Sequence, residues 1–331
     1  MGTGRMQWPK ALVVGAPSFF VRPWLKPAIV MVRAFSAASD YSDQSRGGLP
    51  RFFSESLPAS KGGVVRVQGD EFWHMTKVLR LGVHDRIELF NGKGGLVEGC
   101  IQNVDRTGID FVAARDPILV HPHKPQWDVF AAFGTLKGGR ADWLIEKCTE
   151  LGASSITPLL TKRSPSISEN RVGRLQRVIV AATKQCQRLH EMTLNTPMDV
   201  KGVLPIVAQS KLSFVAAAQS TPLINALTSS AVESRGFLVI GPEGDFTEEE
   251  LRMIKEAGAT AVGLGPHRLR VETATIALLA TLMLWSDSQQ PSNLYMCQAN
   301  NSSNDYLIAT VCESQMHLST LEIKLVCGQT G

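Results

Sequence analysis

The chain has 331 residues, 44% hydrophobic and 19% charged, which is long enough for two domains with full cores and ordinary for a water-soluble protein. Its formal net charge of +4 sits entirely in residues 1–48, which hold six Lys/Arg and two acids, so the rest sums to zero and global charge argues for no polyanionic partner. No stretch of about 18 uninterrupted apolar residues exists, which excludes a transmembrane helix. Six scattered cysteines without a CxxC pair read as free thiols in a reducing compartment, and no metal site is expected.

Residues 1–48 carry no acid before Asp40 and end in the Ser/Ala-rich run RAFSAAS. That is the composition of a transit peptide, or of a disordered extension, and it points to the chloroplast stroma or mitochondrial matrix. From Arg51 to about Pro117 short alternating runs predict strands, with hairpin signals at Asn91-Gly92 and Lys93-Gly94-Gly95. A helix is predicted over 70–81 with Phe72, Met75, Val78 and Leu79 on one face. The expectation is a small β-barrel over 49–118.

From Gln126 the rhythm alternates between strands and helices, which predicts a parallel sheet covered by helices over 122–287. Strands are expected at Val129–Phe133, Ser155–Leu160 and Leu212–Ala217, with helices at Ala141–Leu151 and Arg171–His190. Two late strands, Phe237–Ile240 and Ala261–Leu264, are expected as neighbours, each running into a Gly/Pro loop (GPEG and GPHR) and then a helix. Such loops at the carboxyl ends of strands are where open α/β sheets bind small ligands. Thr247 and Glu250 form a capping box for the first of these helices, and Gly258 suits its end. Residues 288–331 are polar and non-periodic and read as a tail.

The GPEG loop lacks the Gly-Lys-Ser/Thr ending of a Walker A site and the GxGxxG spacing of a dinucleotide fold. Residues 162–190 carry seven Lys/Arg against one acid, Glu169; Arg177, Ala181, Lys184 and Arg188 fall on one helical stripe. This can track a phosphate backbone, or simply face solvent. Glu272 could cap the last helix, act on Arg270, or do chemistry. Glu146, Lys147 and Glu150 read as helix-surface pairing.

Taken together, RFF (51–53), HMTKVLRLG (74–82), KGGRADWLIEKCTELGASSITPLLTKRS (137–164), AATKQCQR (181–188), GPEGDFTEEE (241–250) and LGPHRLRVETA (264–274) resemble the bacterial 16S ribosomal RNA uridine-N3 methyltransferase family of the SPOUT superfamily. The resemblance covers about residues 49–287. It implies an α/β fold class, with a PUA-like RNA-binding barrel followed by a SPOUT-type domain that ends in a trefoil knot. It also implies S-adenosylmethionine as cofactor, a homodimer, and small-subunit rRNA (a 30S-type subunit) methylated at N3 of a uridine near the decoding centre.

Carried over by motif, Gly241, Pro242, Glu243, Gly244, Leu264, Gly265, Pro266 and Leu269 would hold the cofactor. Arg163, Arg188, Arg270 and Glu272 would serve catalysis: Arg163 or Arg188 would stabilise the uracil anion, and Glu272 would accept a proton or orient Arg270. Gln185 and Thr273 match the same motifs. Arg51, Lys77, Arg80, Lys162, Arg177 and Lys184 are the expected RNA contacts. The chain departs from the family at Asp245, where Gly is frequent, at Lys184, where Glu is frequent, and at His267, where Arg is common. A non-catalytic, rRNA-binding assembly factor of the same fold is the alternative reading.

Overall fold

The computed structural model describes residues 49–228, 230 and 233–289. The leader (1–48) and nearly all of the expected tail lie outside the described residues. The first strands are β1 (Arg51–Phe53), β2 (Val64–Val67), β3 (Arg86–Phe90), β4 (Gly95–Val104), β5 (Ile109–Ala113) and β6 (Ile118–Leu119). They form one sheet in the order β1-β3-β4-β5-β2, with β6 on β4, curled about Phe52, Met75, Ile87, Leu89, Ile101 and Phe111. Only β1 and β3 run parallel. The β3–β4 turn matches its hairpin signal: Asn91 Oδ1 accepts from Lys93 N at 2.9 Å and Gly95 N at 3.0 Å.

The helix expected over 70–81 is shorter and irregular. It runs as α1 (Gly69–Trp73) and continues as one π turn over His74–Val78. The wider turn breaks the 3.6-residue period, so Met75 is buried while Val78 and Leu79 are exposed.

The second sheet contains β7 (Gln126–Ala131), β8 (Ser155–Leu160), β9 (Thr193–Leu194), β10 (Met198–Asp199), β11 (Ser213–Pro222), β12 (Arg235–Ile240) and β13 (Thr260–Gly263). All its ladders are parallel, in the order β10-β8-β7-β12-β11-β13, with β9 on β8. Its helices are α2 (Arg140–Leu151), α3 (Glu169–Cys186), α4 (Val200–Val207), α5 (Leu223–Thr228), α6 (Glu248–Glu256) and α7 (Val271–Ser288). The two late strands are therefore not neighbours: β11 lies between β12 and β13 and pairs with both.

Alternation along the strands builds two cores. Trp127, Val129 and Ala131 of β7 and Leu238 and Ile240 of β12 face one side, with Leu144, Leu175, Leu279 and Leu282 of α2, α3 and α7. Phe130, Phe237 and Val239 face the other, with Val203 of α4 and Ile254 of α6. Each such buried Val, Leu, Ile or Phe side chain contributes about 1.5–3 kcal/mol of transfer free energy. Trp127 joins sheet to last helix directly, donating Nε1–H to Ser286 Oγ at 2.8 Å.

From β13 at the sheet edge the chain returns as α7 to pack against α2, β7 and β12 near the sheet's middle. Helix α3 stops at Cys186, four residues before the expected end, because Gln187 takes φ 57°. The chain then runs along the first sheet: Gly94 N donates to Leu189 O at 2.8 Å and Glu191 N to Gly92 O at 2.7 Å. Helix α4 was not expected, since Gly202 and Pro205 mask it; Asp199 caps it, accepting from Gly202 N at 2.8 Å. No described helix is long and apolar enough to cross a membrane.

Candidate functional site

Strand β12 ends at Ile240 and delivers Gly241-Pro242-Glu243-Gly244 to the carboxyl edge of the sheet. Gly244 and Asp245 both take left-handed backbone, φ 94° and 71°, and Asp245 N closes the turn onto Pro242 O at 2.9 Å. An Asp tolerates that conformation better than most residues, though it costs more than Gly there. A methyl group on Gly241 would sit 3.0 Å from the buried Phe246 ring, so this glycine lets the loop fold flat on Phe246.

The expected capping box is formed. Thr247 Oγ1 accepts from Glu250 N at 3.3 Å, and Glu250 Oε2 accepts from Thr247 N at 2.9 Å. Gly258, at φ 113°, follows the last turn of α6. Glu250 also accepts from Lys162 N at 2.8 Å, fastening the loop after β8 to α6. Burial pushes its carboxyl up, but the amides of Lys162 and Thr247 outweigh that and hold it below the ordinary glutamate value.

The second loop, 264–270, follows β13, and Gly265 takes φ 104°. Between the two loops lies a cavity of about 330 Å³. Its floor is apolar, formed by Ile240, Val262, Val271, Ala274 and Leu278, and a third wall comes from Ala216–Ala218. That wall is an excursion of β11 between Ala216 and Thr221, both of which pair with Val262. Sequence periodicity could not show it, because the strand leaves and rejoins its ladder. Leu264 and Leu269 stay 38% and 41% exposed beside the cavity.

Exposed apolar side chains, an apolar floor and backbone-rich loops suit a flat ring with a polar extension. The rim is bipolar, with Glu243 and Asp245 on the first loop and His267, Arg268 and Arg270 on the second. S-adenosylmethionine fits this character: the floor suits the adenine, and the carboxylate side suits the sulfonium. All eight residues expected to hold the cofactor lie on the two loops, and Gly241, Pro242, Glu243, Gly244, Leu264, Gly265 and Leu269 line the cavity itself.

The expected catalytic residues do not all meet here. Arg163 does reach the first loop, where its Nη1 donates to the carbonyls of Gly244 and, at 3.1 Å, Asp245. Arg270 is exposed and lines the cavity as the N-cap residue of α7. Arg188 lies elsewhere, because the chain leaves the helix at Gln187; its Nη1 donates to Thr149 O, at the end of α2, at 2.7 Å.

Glu272 is 7% exposed and is held by Arg140 rather than by Arg270. Burial pushes its carboxyl up, but hydrogen bonds from Arg140 and its own amide, with the charges of Arg140 and Arg270, bring it below the ordinary value. Such a carboxylate is a poor proton acceptor. Arg140 also donates to Glu243 at 2.5 Å, so it ties the first loop to α7. The sequence reading missed this role, since those partners lie 103 and 132 residues away.

The expected RNA contacts divide. Lys77, Arg80 and Arg177 are exposed; Lys162 is exposed but paired with Glu249 at 2.5 Å. Arg51 is 3% exposed and donates to Glu88 at 3.0 Å inside the first sheet, so it cannot contact RNA phosphates. Lys184 sits 3.7 Å from Glu71 and 4.9 Å from the centre of the Phe53 ring, joining α3 to the first sheet. Helical spacing placed it on a solvated stripe, but a packed neighbour covers that position. Among the described residues, no cluster of His, Cys, Asp or Glu could hold a metal ion.

Comparison with known proteins gives the same picture. A family model described as an RNA methyltransferase domain matches residues 122–283, and one described as an RNA methyltransferase PUA domain matches residues 67–113. Ribosomal RNA small subunit methyltransferase E of Mycobacterium tuberculosis is 30% identical over 240 residues, which cover 70% of this chain and 90% of the relative. Its counterpart in Rickettsia conorii is 28% identical over 222 residues, 66% of this chain and 89% of the relative.

A Legionella pneumophila methyltransferase solved with bound S-adenosylmethionine matches with a TM-score of 0.57 at 26% identity, over 71% of this chain and 97% of that one. Ribosomal RNA small subunit methyltransferase E of Neisseria gonorrhoeae, 23% identical, shares the fold with a TM-score of 0.58 over 71% of this chain and 97% of that one. The chain, an α/β protein with a PUA-like first domain and a SPOUT-type second one, belongs to the ribosomal RNA small subunit methyltransferase E family.

Proposed function

We propose that the protein is an S-adenosylmethionine-dependent methyltransferase that modifies N3 of one uridine near the decoding centre of small-subunit ribosomal RNA, within an organelle that keeps bacterial-type ribosomes. The observation that carries this reading is the bipolar cavity between the two loops after β12 and β13. The basic leader, with no acid before Asp40, supports an organellar address. A homodimer is part of the proposal, from family resemblance alone.

When bound, the cofactor supplies an electrophilic methyl carbon. The chain's part is positioning and electrostatics. Gly244, Asp245 and Gly265 shape the two loops around it. Arg140 and Arg163 both hold the first loop, one through the Glu243 carboxylate and the other through the Gly244 and Asp245 carbonyls. Because Glu272 is held as a carboxylate by Arg140, it orients α7 against α2, and the N3 proton leaves to solvent. The target base lies in folded RNA and must be exposed or flipped to reach the cavity. Lys77, Arg80 and Arg177 supply phosphate contacts on the way.

The test is to map N3-methyluridine in organellar small-subunit rRNA with and without this protein. The modification is expected to vanish in its absence. Its persistence, with cofactor bound and no turnover on any rRNA, would instead favour the non-catalytic assembly factor.

A further inference from the structure

Deprotonation of uracil N3 leaves negative charge on the ring and its two carbonyl oxygens. A site that methylates N3 near neutral pH therefore gains most from a fixed cation that is not already occupied. The two arginines expected to supply it are otherwise engaged, Arg163 with two carbonyls and Arg188 with Thr149 O away from the cavity, and Arg140 is engaged with two carboxylates. Two arginines lining the cavity are not. Arg268 and Arg270 are both exposed and make no side-chain hydrogen bond or ion pair among the described residues, but the Arg270 charge already acts on buried Glu272, which leaves Arg268.

Arg268 was absent from the expected set because it falls between the matched positions Pro266 and Leu269. Its planar guanidinium presents a fork of donors that the imidazole of its neighbour His267 does not. The first loop offers the opposite sign through Asp245 and through Glu243, whose carboxylate is shared with Arg140. A cationic donor centre and an anionic acceptor ring can thus be held against opposite walls of one cavity.

From this geometry we infer that Arg268 is a catalytic residue that contacts the target uracil and stabilises its N3 anion. In that step the N3 proton passes to water, the N3 electron pair forms the new bond to carbon, and the sulfonium–carbon bond breaks with its electrons returning to sulfur. The inference rests on the proposed uridine-N3 reading. The other charged or titratable side chains around the cavity are Glu243, Asp245, His267 and Arg270, none of which it replaces.

The experiment uses the full chain and small subunits lacking the methyl mark. Single-turnover methyl transfer is followed from neutral to alkaline pH for wild type, Arg268→Ala and Arg268→Lys, with calorimetric binding of S-adenosylmethionine and thermal unfolding measured on each. Arg268→Ala is expected to slow transfer by about 100-fold at neutral pH, the usual loss for one preorganised group at a developing oxyanion. The deficit should shrink as rising pH ionises the uracil unaided. Cofactor affinity and melting temperature should stay at wild-type values, and Arg268→Lys should recover part of the rate.

Transfer by Arg268→Ala at the wild-type rate and with the wild-type pH profile would overturn the inference. So would a loss confined to cofactor affinity, which would place Arg268 on the donor's own carboxylate. The wild-type product separates the two levels: a methyl group on an atom other than N3 ends the functional reading, whereas an N3 product with an insensitive Arg268 ends only this inference.

Discussion

Arg140 grips Glu272 with two parallel bonds, Nε to Oε1 and Nη2 to Oε2, each 2.8 Å, which joins the first turn of α2 to the first turn of α7. The same Nη2 reaches Glu243 on the cofactor loop. Because Glu272 is held below its ordinary value near 4.5, its contribution to stability is present above that pH and is lost as pH falls through the lower folded value. Glu272→Gln should therefore be less stable than wild type by about 2 kcal/mol at pH 7. That gap should begin to narrow below about pH 4.5 and close only below the lower folded value, read as urea midpoints across pH. A gap independent of pH would show that the carboxylate's charge is not what matters.

Asp245 occupies a left-handed position and meets Phe246 N with its own Oδ1 at 2.8 Å. Glycine there loses that hydrogen bond but removes the strain of a side chain, so Asp245→Gly should hold stability within about 1 kcal/mol. Asp245→Val, β-branched at positive φ, should lose about 2 kcal/mol and weaken cofactor binding with it. Equal melting temperatures for the two variants would contradict the backbone assignment.

The basic residues separate by what they touch. Arg177→Ala should reduce the salt dependence of RNA binding by about one unit of log–log slope and leave the fold alone. Lys184→Gln should leave that slope unchanged and lower the melting temperature, because its charge is directed at Glu71 and Phe53. Arg51→Ala should cost about 3–5 kcal/mol by stranding Glu88 in the first sheet. A reduced salt slope for Lys184→Gln would return that residue to the RNA surface.

Much of this was legible in the sequence, and the failures have physical causes. Strand β8, helix α2 and the Thr247–Glu250 cap follow from local pattern, and each forms where expected. The two Gly/Pro loops were visible too, because positive-φ positions favour glycine. What pattern cannot carry is pairing at a distance. Nothing near Arg140 points to Glu243 or Glu272, and nothing on the α3 stripe says that Lys184 meets Phe53. The insertion of β11 between β12 and β13 is likewise a property of sheet topology, which periodicity does not encode. Helix α4 hid behind Gly202 and Pro205, both unfavourable inside a helix.

Gly265 provides the most direct test of the cofactor pocket. It takes φ 104°, and no protein atom lies within 4 Å of where a side chain would begin, so a substitution there strains the backbone and intrudes on the cavity without disturbing the core. Calorimetric titration of S-adenosylmethionine into wild type and Gly265→Val, both shown to be folded, is the decisive measurement. The pocket between the two loops predicts saturable binding by wild type and at least about a tenfold loss in the variant, from 1–2 kcal/mol of strain. Folded wild-type protein that takes up no S-adenosylmethionine, or a variant that binds it as tightly as wild type, would contradict it.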